Sequence, residues 1–149
     1  MIVRYGGESP RKCSLTPLRA RTELPLRWLR AHAQRLTAVG EVTLLHPDGE
    51  PLTAADRVRP LLLVDCSWRH LAGALRCLHG TLHRRRLPGG WVTAYPRASR
   101  TCSDPAGGLA SVEALHAATV VLGCRDDRLL PGYPFRDDWL ARNAARLGP

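Results

Sequence analysis

The sequence lacks the residue patterns that mark metal sites and disulfide frameworks. It has five cysteines, and no two of them form a Cys-x-x-Cys pair. Their odd number and wide spacing argue against a disulfide framework and against a zinc site, and they fit a reducing compartment. His79 and His83 have the spacing of a helical ligand pair, but they lie in a glycine-containing, arginine-rich stretch. We therefore predict no metal site and a cytoplasmic location.

Long apolar runs are also missing. The chain has no run of about 18 apolar residues, and its first residues lack the charged-then-apolar order of a signal peptide. We therefore expect no membrane partner. Hydrophobic residues still make up 44% of the 149 residues. This content is enough for a buried core in one ordinary domain or in two small lobes that share it.

Lysine is nearly absent, although the chain is strongly basic. Lysine and arginine together number 22, only Lys12 is a lysine, and the formal net charge is +9. Arginine suits bidentate phosphate contacts and stacking on bases, so this excess favours RNA or another polyanion as a partner. A second explanation is compositional, because a GC-rich genome encodes arginine in place of lysine. Composition alone fits both explanations.

The most informative stretch begins at Leu61 and ends at Trp68. Four aliphatic residues precede Asp65-Cys66-Ser67-Trp68, a pattern typical of a buried parallel strand with functional side chains at its carboxyl end. Ligands bind at that end of open α/β sheets, and a carboxylate beside an indole suits a cation such as a sulfonium. The alternative is a buried strand capped by an Asx-type turn, with Trp68 in the core.

The rest of the chain predicts an α/β arrangement of short elements. Strands are predicted over residues 2–5, 42–45 and 91–95, with a turn over 46–49. Helices are predicted from Thr53, from Trp68 through Leu78, over 109–122 with Ser111 as the N-cap, and over 135–147. The arginine, serine, glycine and proline content of residues 97–108 predicts a long loop, a type that is often functional.

Two features are candidate contacts for an anion. Arg84, Arg85 and Arg86 form the densest basic run, which is either a solvated face or, beside a ligand crevice, an edge that contacts phosphate. Ser111 and Glu113 stand at the start of the predicted 109–122 helix, whose amino end offers donors to a carboxylate or phosphate. Ordinary helix capping explains the same two residues.

Several motifs, in the same order along the chain, resemble the ribosome-biogenesis aminocarboxypropyltransferases of small-subunit rRNA. They are Ser-Pro-Arg-Lys-Cys-Ser at 9–14, Leu-His-Pro at 45–47, Thr-Ala-Ala-Asp-Arg at 53–57, Val-Asp-Cys-Ser-Trp at 64–68, Arg-Leu-Pro at 86–88 and Leu-Ala-Ser-Val-Glu-Ala at 109–114. Residues 135–143 resemble the final helix of the same family. The resemblance covers nearly the whole chain.

The resemblance implies a fold, a cofactor and a reaction. The fold is an α/β, SPOUT-like knotted parallel-sheet domain over residues 61–149, with a small N-terminal α/β lobe over residues 1–60. The cofactor is S-adenosylmethionine, and its 3-amino-3-carboxypropyl group is transferred to a uridine or pseudouridine of small-subunit rRNA. The family also implies a monomer that binds rRNA or a pre-ribosome.

The family pattern assigns most of the candidate site by position. The adenine contacts are Leu45, Pro47, Trp68, Leu87, Leu109 and Ala114. The ribose is held by the Val64 backbone, and the methionine carboxylate by Ser14 and Ser111. Asp65 orients the substrate or accepts the imino proton of the base, or else it only caps the turn before Trp68. The candidate RNA contacts are Arg11, Lys12, Arg84, Arg85, Arg86, Arg97 and Arg100.

The chain departs from the family after Pro88. Thr93-Ala94-Tyr95-Pro96 replaces the usual Ala-Ala-Asn-Pro, and a longer loop follows. Because this region borders the expected pocket, three alternatives stay open. They are transfer to tRNA, as in the related DTW-domain proteins with their Asp-x-x-Trp arrangement, methyl transfer, and a non-catalytic RNA-binding assembly factor.

Overall fold

The computed structural model describes residues 1–6, 13–96 and 108–148. Residues 97–107 of the predicted long loop lie outside these ranges. A five-stranded sheet lies at its centre, with strand order β2-β1-β4-β3-β5 and all pairs parallel. The strands are β1 Ile2–Tyr5, β2 Trp28–Ala31, β3 Thr37–Pro51, β4 Leu61–Asp65 and β5 Leu78–Arg86. The α-helices are α1 Trp68–Arg76, α2 Ser111–Val121, α3 Arg136–Arg142 and α4 Ala144–Leu147. The predicted α/β class with a parallel sheet is confirmed.

The middle strand of the sheet is β4, as the aliphatic run at its start predicts. Its residues alternate between two cores, because successive side chains of a strand point to opposite faces. Leu63 packs with Ile2 on one face, while Leu62 and Val64 pack on the other. A strand that is covered on both faces needs a continuous apolar sequence, so the sequence pattern and the position of β4 agree.

Helices cover both faces of the sheet. The helix α1 packs through Ala74, Leu71 and Leu75 against the core that contains Leu62. On the opposite face, Val112 of α2 and Trp139 of α3 belong to the core that contains Leu63. The molecule therefore has three layers, and the carboxyl ends of the strands meet at one edge between them.

The helix predicted from Trp68 forms as α1, but it ends at Arg76 instead of Leu78, and the chain then forms the edge strand β5. A second prediction on the β3 side is wrong. The predicted turn at residues 46–49 lies inside β3, where the register against β5 shifts between Leu45 and Glu50. Pairing with β3 outweighs the weak strand propensity of the β5 sequence. His79 and His83 are therefore on a strand, without the geometry of a helical ligand pair.

The predicted strand at residues 91–95 is also wrong. These residues form no strand, and side chains bind their backbone instead. The Val92 N–H donates to Asn143 Oδ1 at 2.9 Å, and the Ala94 N–H donates to Glu113 Oε1 at 2.8 Å. The β-branched and aromatic composition predicted a strand, but tertiary contacts decide the conformation.

The two C-terminal helical predictions hold in part. The helix α2 lies inside the predicted range and is followed by Gly123, whose φ is +71°. Its N-cap is Ala110, not Ser111, and the Ala110 N–H donates to the Glu113 carboxylate at 2.8 Å. The predicted final helix is divided at Asn143, because α3 ends before it and α4 begins after it.

The part of the chain that the structure describes shows neither a membrane helix nor a metal cluster. None of its helices has both the length and the apolar composition that crossing a bilayer requires. In the same ranges, no three His, Cys, Asp or Glu side chains gather into a group that could hold a metal ion. No disulfide joins any two of the four described cysteines, at positions 13, 66, 77 and 124.

A fully buried histidine joins α2 to the C-terminal helices. His116 Nε2 lies 2.9 Å from Asp127 Oδ1, and Trp139 Nε1 donates to His116 Nδ1 at 3.1 Å. Burial lowers the pKa of His116 below its usual value of 6.5, against the opposing effect of Asp127. Since Nδ1 accepts the indole N–H, protonation of this nitrogen would place two donors face to face.

We expect the free energy of unfolding to fall as the pH drops below about 6.5. Between that pH and the lowered pKa of His116, the unfolded chain binds a proton that the folded chain excludes. Burial, with the nearby charge of Arg84, lowers the pKa of His46 in the same direction. Urea unfolding between pH 7.5 and 5.5 measures the slope. His116→Gln should flatten it and the exposed-site control His79→Gln should not, so equal slopes in both variants would contradict this assignment.

Candidate functional site

A buried ion pair stands at the carboxyl edge of the sheet. Arg4 and Asp65 are register partners on the neighbouring strands β1 and β4. Arg4 Nε donates to Asp65 Oδ2 at 2.9 Å, and each residue is only 6% exposed. Ile2 and Leu63 lie two residues before Arg4 and Asp65 on the same strands, and they pack in the core on the α2 side. Since side chains two residues apart on a strand share a face, the Arg4–Asp65 pair also faces α2. The predicted carboxylate therefore lies at the carboxyl edge of the sheet, the edge where open α/β sheets commonly bind ligands, but it has a cationic partner.

Cys13 contacts both members of this ion pair. Arg4 Nη2 donates to Cys13 Sγ at 2.8 Å, and Cys13 Sγ donates to Asp65 Oδ2 at 3.1 Å. Burial and the nearby Asp65 charge raise the pKa of Cys13, which favours the thiol form that can donate. For Arg4, burial acts to lower the pKa, but Cys13 and Asp65 outweigh it and raise the pKa. The three groups form a closed, charge-compensated triangle.

The amino end of α2 approaches this triangle. Ser111 Oγ donates to Asp65 Oδ1 at 3.3 Å, and the Val112 N–H donates to Ser14 Oγ at 3.1 Å. The first N–H groups of a helix have no partner inside the helix and carry partial positive charge. The structure thus brings three predicted site residues, Ser14, Asp65 and Ser111, together at a helix end suited to a carboxylate.

Three predicted adenine contacts pack against the core on the α2 face of the sheet. Leu45 of β3, Leu87 after β5 and Leu109 before α2 are all partly buried, and all pack against the core of the α2 face. Val64 is buried in β4, and Ala114 of α2 is half-buried. Flat aromatic ligands bind to such partly exposed aliphatic surfaces.

Trp68 and Pro47 differ from these three leucines. Trp68 is 39% exposed at the first residue of α1, which covers the opposite face of the sheet. The interpretation of Trp68 as a core residue is therefore wrong. Pro47 is also exposed, in the part of β3 where the register shifts. Both side chains are accessible to a ligand.

The basic run lies on the edge strand β5. Arg84 and Arg86 are exposed and share one face of the strand. Arg85 points to the other face, where its Nε donates to Asp56 Oδ1 at 2.8 Å and its Nη1 lies 3.5 Å from Glu50 Oε2. These bonds engage much of the Arg85 guanidinium in the protein. Four other predicted RNA contacts lie outside the described residues: Arg11, Lys12, Arg97 and Arg100.

The sequence alone does not identify Arg4 as a site residue, nor the full set of hydrogen bonds that Glu113 accepts. An arginine inside the apolar strand β1 is a signal, because a buried cation needs a partner. Glu113 is completely buried and accepts four hydrogen bonds. The sequence shows only its capping position, because the other three donors are far along the chain.

A comparison with solved structures gives an informative match. No family model matches the chain, and no curated protein matches it. The structure is similar to that of the SAM-dependent rRNA:acp-transferase Tsr3 from Vulcanisaeta distributa, with a TM-score of 0.71 and 26% sequence identity. The alignment covers 98% of this chain and 79% of that chain. The similarity therefore extends over nearly the whole chain.

Proposed function

We propose that this protein transfers the 3-amino-3-carboxypropyl group of S-adenosylmethionine to a uridine-type base of small-subunit rRNA. The observation that carries the proposal is the structural similarity to an rRNA:acp-transferase over 98% of the chain. When bound, S-adenosylmethionine supplies a carbon made electrophilic by its sulfonium, and the carbon–sulfur bond that breaks leaves methylthioadenosine. Which carbon reacts depends on which one lies in line with the base nitrogen.

The chemistry of the described side chains fits this cofactor. The hydroxyls of Ser14 and Ser111 lie at the amino end of α2, where hydrogen-bond donors and the helix dipole favour the methionine carboxylate. The half-buried Leu45, Leu87 and Leu109 offer an apolar surface to the adenine. We assign further adenine contacts to Pro47, Trp68 and Ala114, and the ribose to the Val64 backbone.

We assign to Asp65 the removal of the proton from the target base. The base nitrogen carries a proton that must leave as the new nitrogen–carbon bond forms, and a carboxylate is a suitable acceptor. Arg4, Cys13 and Ser111 all donate to Asp65 and thereby hold both of its oxygens in place. We infer that Arg4 is a positioning residue, since it acts through Asp65.

The RNA contacts follow from charge and exposure. We assign phosphate contacts to Arg84 and Arg86, which are exposed on one face of the edge strand. Arg85 is a weaker candidate because Asp56 and Glu50 engage its guanidinium. The assignments of Arg11, Lys12, Arg97 and Arg100 rest on sequence alone.

We also retain the finer features that the resemblance implies as proposals. They are a SPOUT-like knot, a monomeric state and action in the cytoplasm. We also retain as a proposal the division into a small N-terminal lobe over residues 1–60, which contributes to the cofactor pocket, and an S-adenosylmethionine-binding domain over residues 61–149. All five strands share one sheet, so we expect the two parts to fold together.

Trp68→Ala should weaken S-adenosylmethionine binding by about 1–3 kcal/mol, because stacking and burial against the indole are lost. Isothermal titration calorimetry measures the change. The control is Val58→Ala, which shortens a side chain that is 79% exposed and should leave the affinity unchanged. Equal affinities of the Trp68 variant and the wild type would remove Trp68 from the site.

The proposed function is tested by titration of the protein with S-adenosylmethionine, methylthioadenosine and S-adenosylhomocysteine. Methylthioadenosine is the product of aminocarboxypropyl transfer, whereas S-adenosylhomocysteine is the product of methyl transfer. We expect micromolar binding of the first two. An absence of binding to all three would contradict the proposal and favour an RNA-binding factor without catalysis.

A further inference from the structure

We propose that Glu113 is a positioning residue, which fixes the amino end of α2 against residues 92–95 and so sets the dimensions of the cofactor pocket. This inference rests on the proposed function, because the pocket is the one assigned above to S-adenosylmethionine. Glu113 acts through the backbone to which the proposed ligand contacts belong.

Every oxygen of the Glu113 carboxylate has two donors. Oε1 accepts from the Ala94 N–H at 2.8 Å and from Tyr133 Oη at 2.9 Å. Oε2 accepts from the Ala110 N–H at 2.8 Å and from Thr93 Oγ1 at 2.6 Å. The residue is 0% exposed. A buried charge with a full set of donors is directional, so the network fixes the positions of its members relative to each other.

These donors come from three separate segments. Ala110 directly precedes Ser111 and follows Leu109, two proposed cofactor contacts. Thr93 and Ala94 belong to residues 91–96, which form no strand. Tyr133 precedes α3. The Glu113 carboxylate therefore determines the distance between the amino end of α2, to which we assign the methionine carboxylate, and residues 91–96.

The other side of the same segment is bound independently by the C-terminal helices. Asn143 accepts from the Val92 N–H and donates to the Val92 carbonyl, both at 2.9 Å. Arg142 Nη1 donates to the Thr93 carbonyl at 2.9 Å, and Arg146 Nε to the Gly90 carbonyl at 2.9 Å. Loss of a Glu113 bond should therefore shift the α2 end relative to a segment that remains attached.

Glu113→Gln is the direct test, because it changes the charge but hardly the shape. Each carboxylate oxygen accepts from one backbone N–H and one hydroxyl. Either orientation of the glutamine amide thus turns an NH₂ group toward a backbone N–H, and one bond is lost. We expect the Kd for S-adenosylmethionine to rise about tenfold, the size of one hydrogen bond to a charged group.

The control for a merely structural effect is Leu129→Ala. Leu129 is buried in the same core but donates nothing to Glu113. Urea unfolding gives the stability of both variants, and calorimetry gives their affinities. We expect both to be less stable, with the affinity of the Leu129 variant within about twofold of the wild type.

Single hydroxyl deletions keep the inference testable if Glu113→Gln does not fold. Thr93→Val and Tyr133→Phe each remove one donor to Glu113 and leave its bonds to the Ala94 and Ala110 N–H groups, so each should raise the Kd about threefold to tenfold. Tyr133→Phe is the cleaner of the two, because Thr93 Oγ1 also accepts from the Tyr95 N–H at 3.1 Å. Unchanged affinity in the folded Glu113 and hydroxyl variants would overturn the positioning role alone. Failure of the wild type to bind would overturn the proposed function and this inference with it.

Discussion

Arg4→Met is expected to lower the free energy of unfolding by about 3–5 kcal/mol, the typical cost of removing one partner of a buried ion pair. Methionine fills much of the volume of the arginine stem, but the Asp65 carboxylate then loses its cation while it stays only 6% exposed. Cys13 and Ser111 still donate to this carboxylate, yet neither carries positive charge. Urea denaturation followed by circular dichroism measures the change.

The matched control for this substitution is Arg30→Met. Arg30 is the register partner of Arg4 on β2 but is exposed, so its replacement should change the stability by less than about 0.5 kcal/mol. The double variant Arg4→Met/Asp65→Leu leaves no unpaired charge and should recover part of the lost stability. Equal stabilities of the two single variants would show that the Arg4–Asp65 pair contributes little.

Asp65→Asn is expected to lower kcat for aminocarboxypropyl transfer by about 10²–10⁴-fold, the usual contribution of a positioned general base. Asparagine keeps the shape of the side chain and offers its amide oxygen to Arg4. It cannot take up the proton of the base nitrogen. The Kd for S-adenosylmethionine should change little, because the assigned cofactor contacts are the hydroxyls of Ser14 and Ser111 and the apolar surface.

Single-turnover assays with the purified RNA substrate separate these two quantities. Asp138→Asn, at an exposed carboxylate in the first turn of α3, is the control and should keep wild-type kcat. A fall in kcat of less than about tenfold in Asp65→Asn would support the alternative that Asp65 only holds the end of β4 in place. The stability of each variant is measured alongside, because Asp65 also pairs with Arg4.

The sequence predicts elements whose local pattern agrees with their tertiary surroundings. The aliphatic run of β4 and the apolar spacing of Leu71 and Leu75 in α1 are strong local signals, and both elements form as expected. The strand β5 has no such signal, since its sequence is rich in histidine and arginine, and its conformation comes from pairing with β3. Residues 91–95 show the reverse: their composition predicts a strand, but they form none, because side chains of α2 and α3 bind their backbone.

The candidate site shows the same limit. Ser14, Asp65 and Ser111 were assigned from motif resemblance, and they meet at the amino end of α2. The sequence could not show that Arg4 pairs with Asp65, because this contact depends on the register of two strands 61 positions apart. Nor could it show four donors around Glu113, since three of them come from residues 93, 94 and 133.

The most direct measurement follows two labels of S-adenosylmethionine, one on the carboxyl carbon and one on the methyl carbon. The purified protein is incubated with small-subunit rRNA or tRNA from cells that lack its gene, so that the target base is unmodified. The account predicts that the carboxyl label enters the rRNA and the methyl label remains in methylthioadenosine. Methyl label in the RNA, carboxyl label in tRNA alone, or no label in either RNA would contradict it.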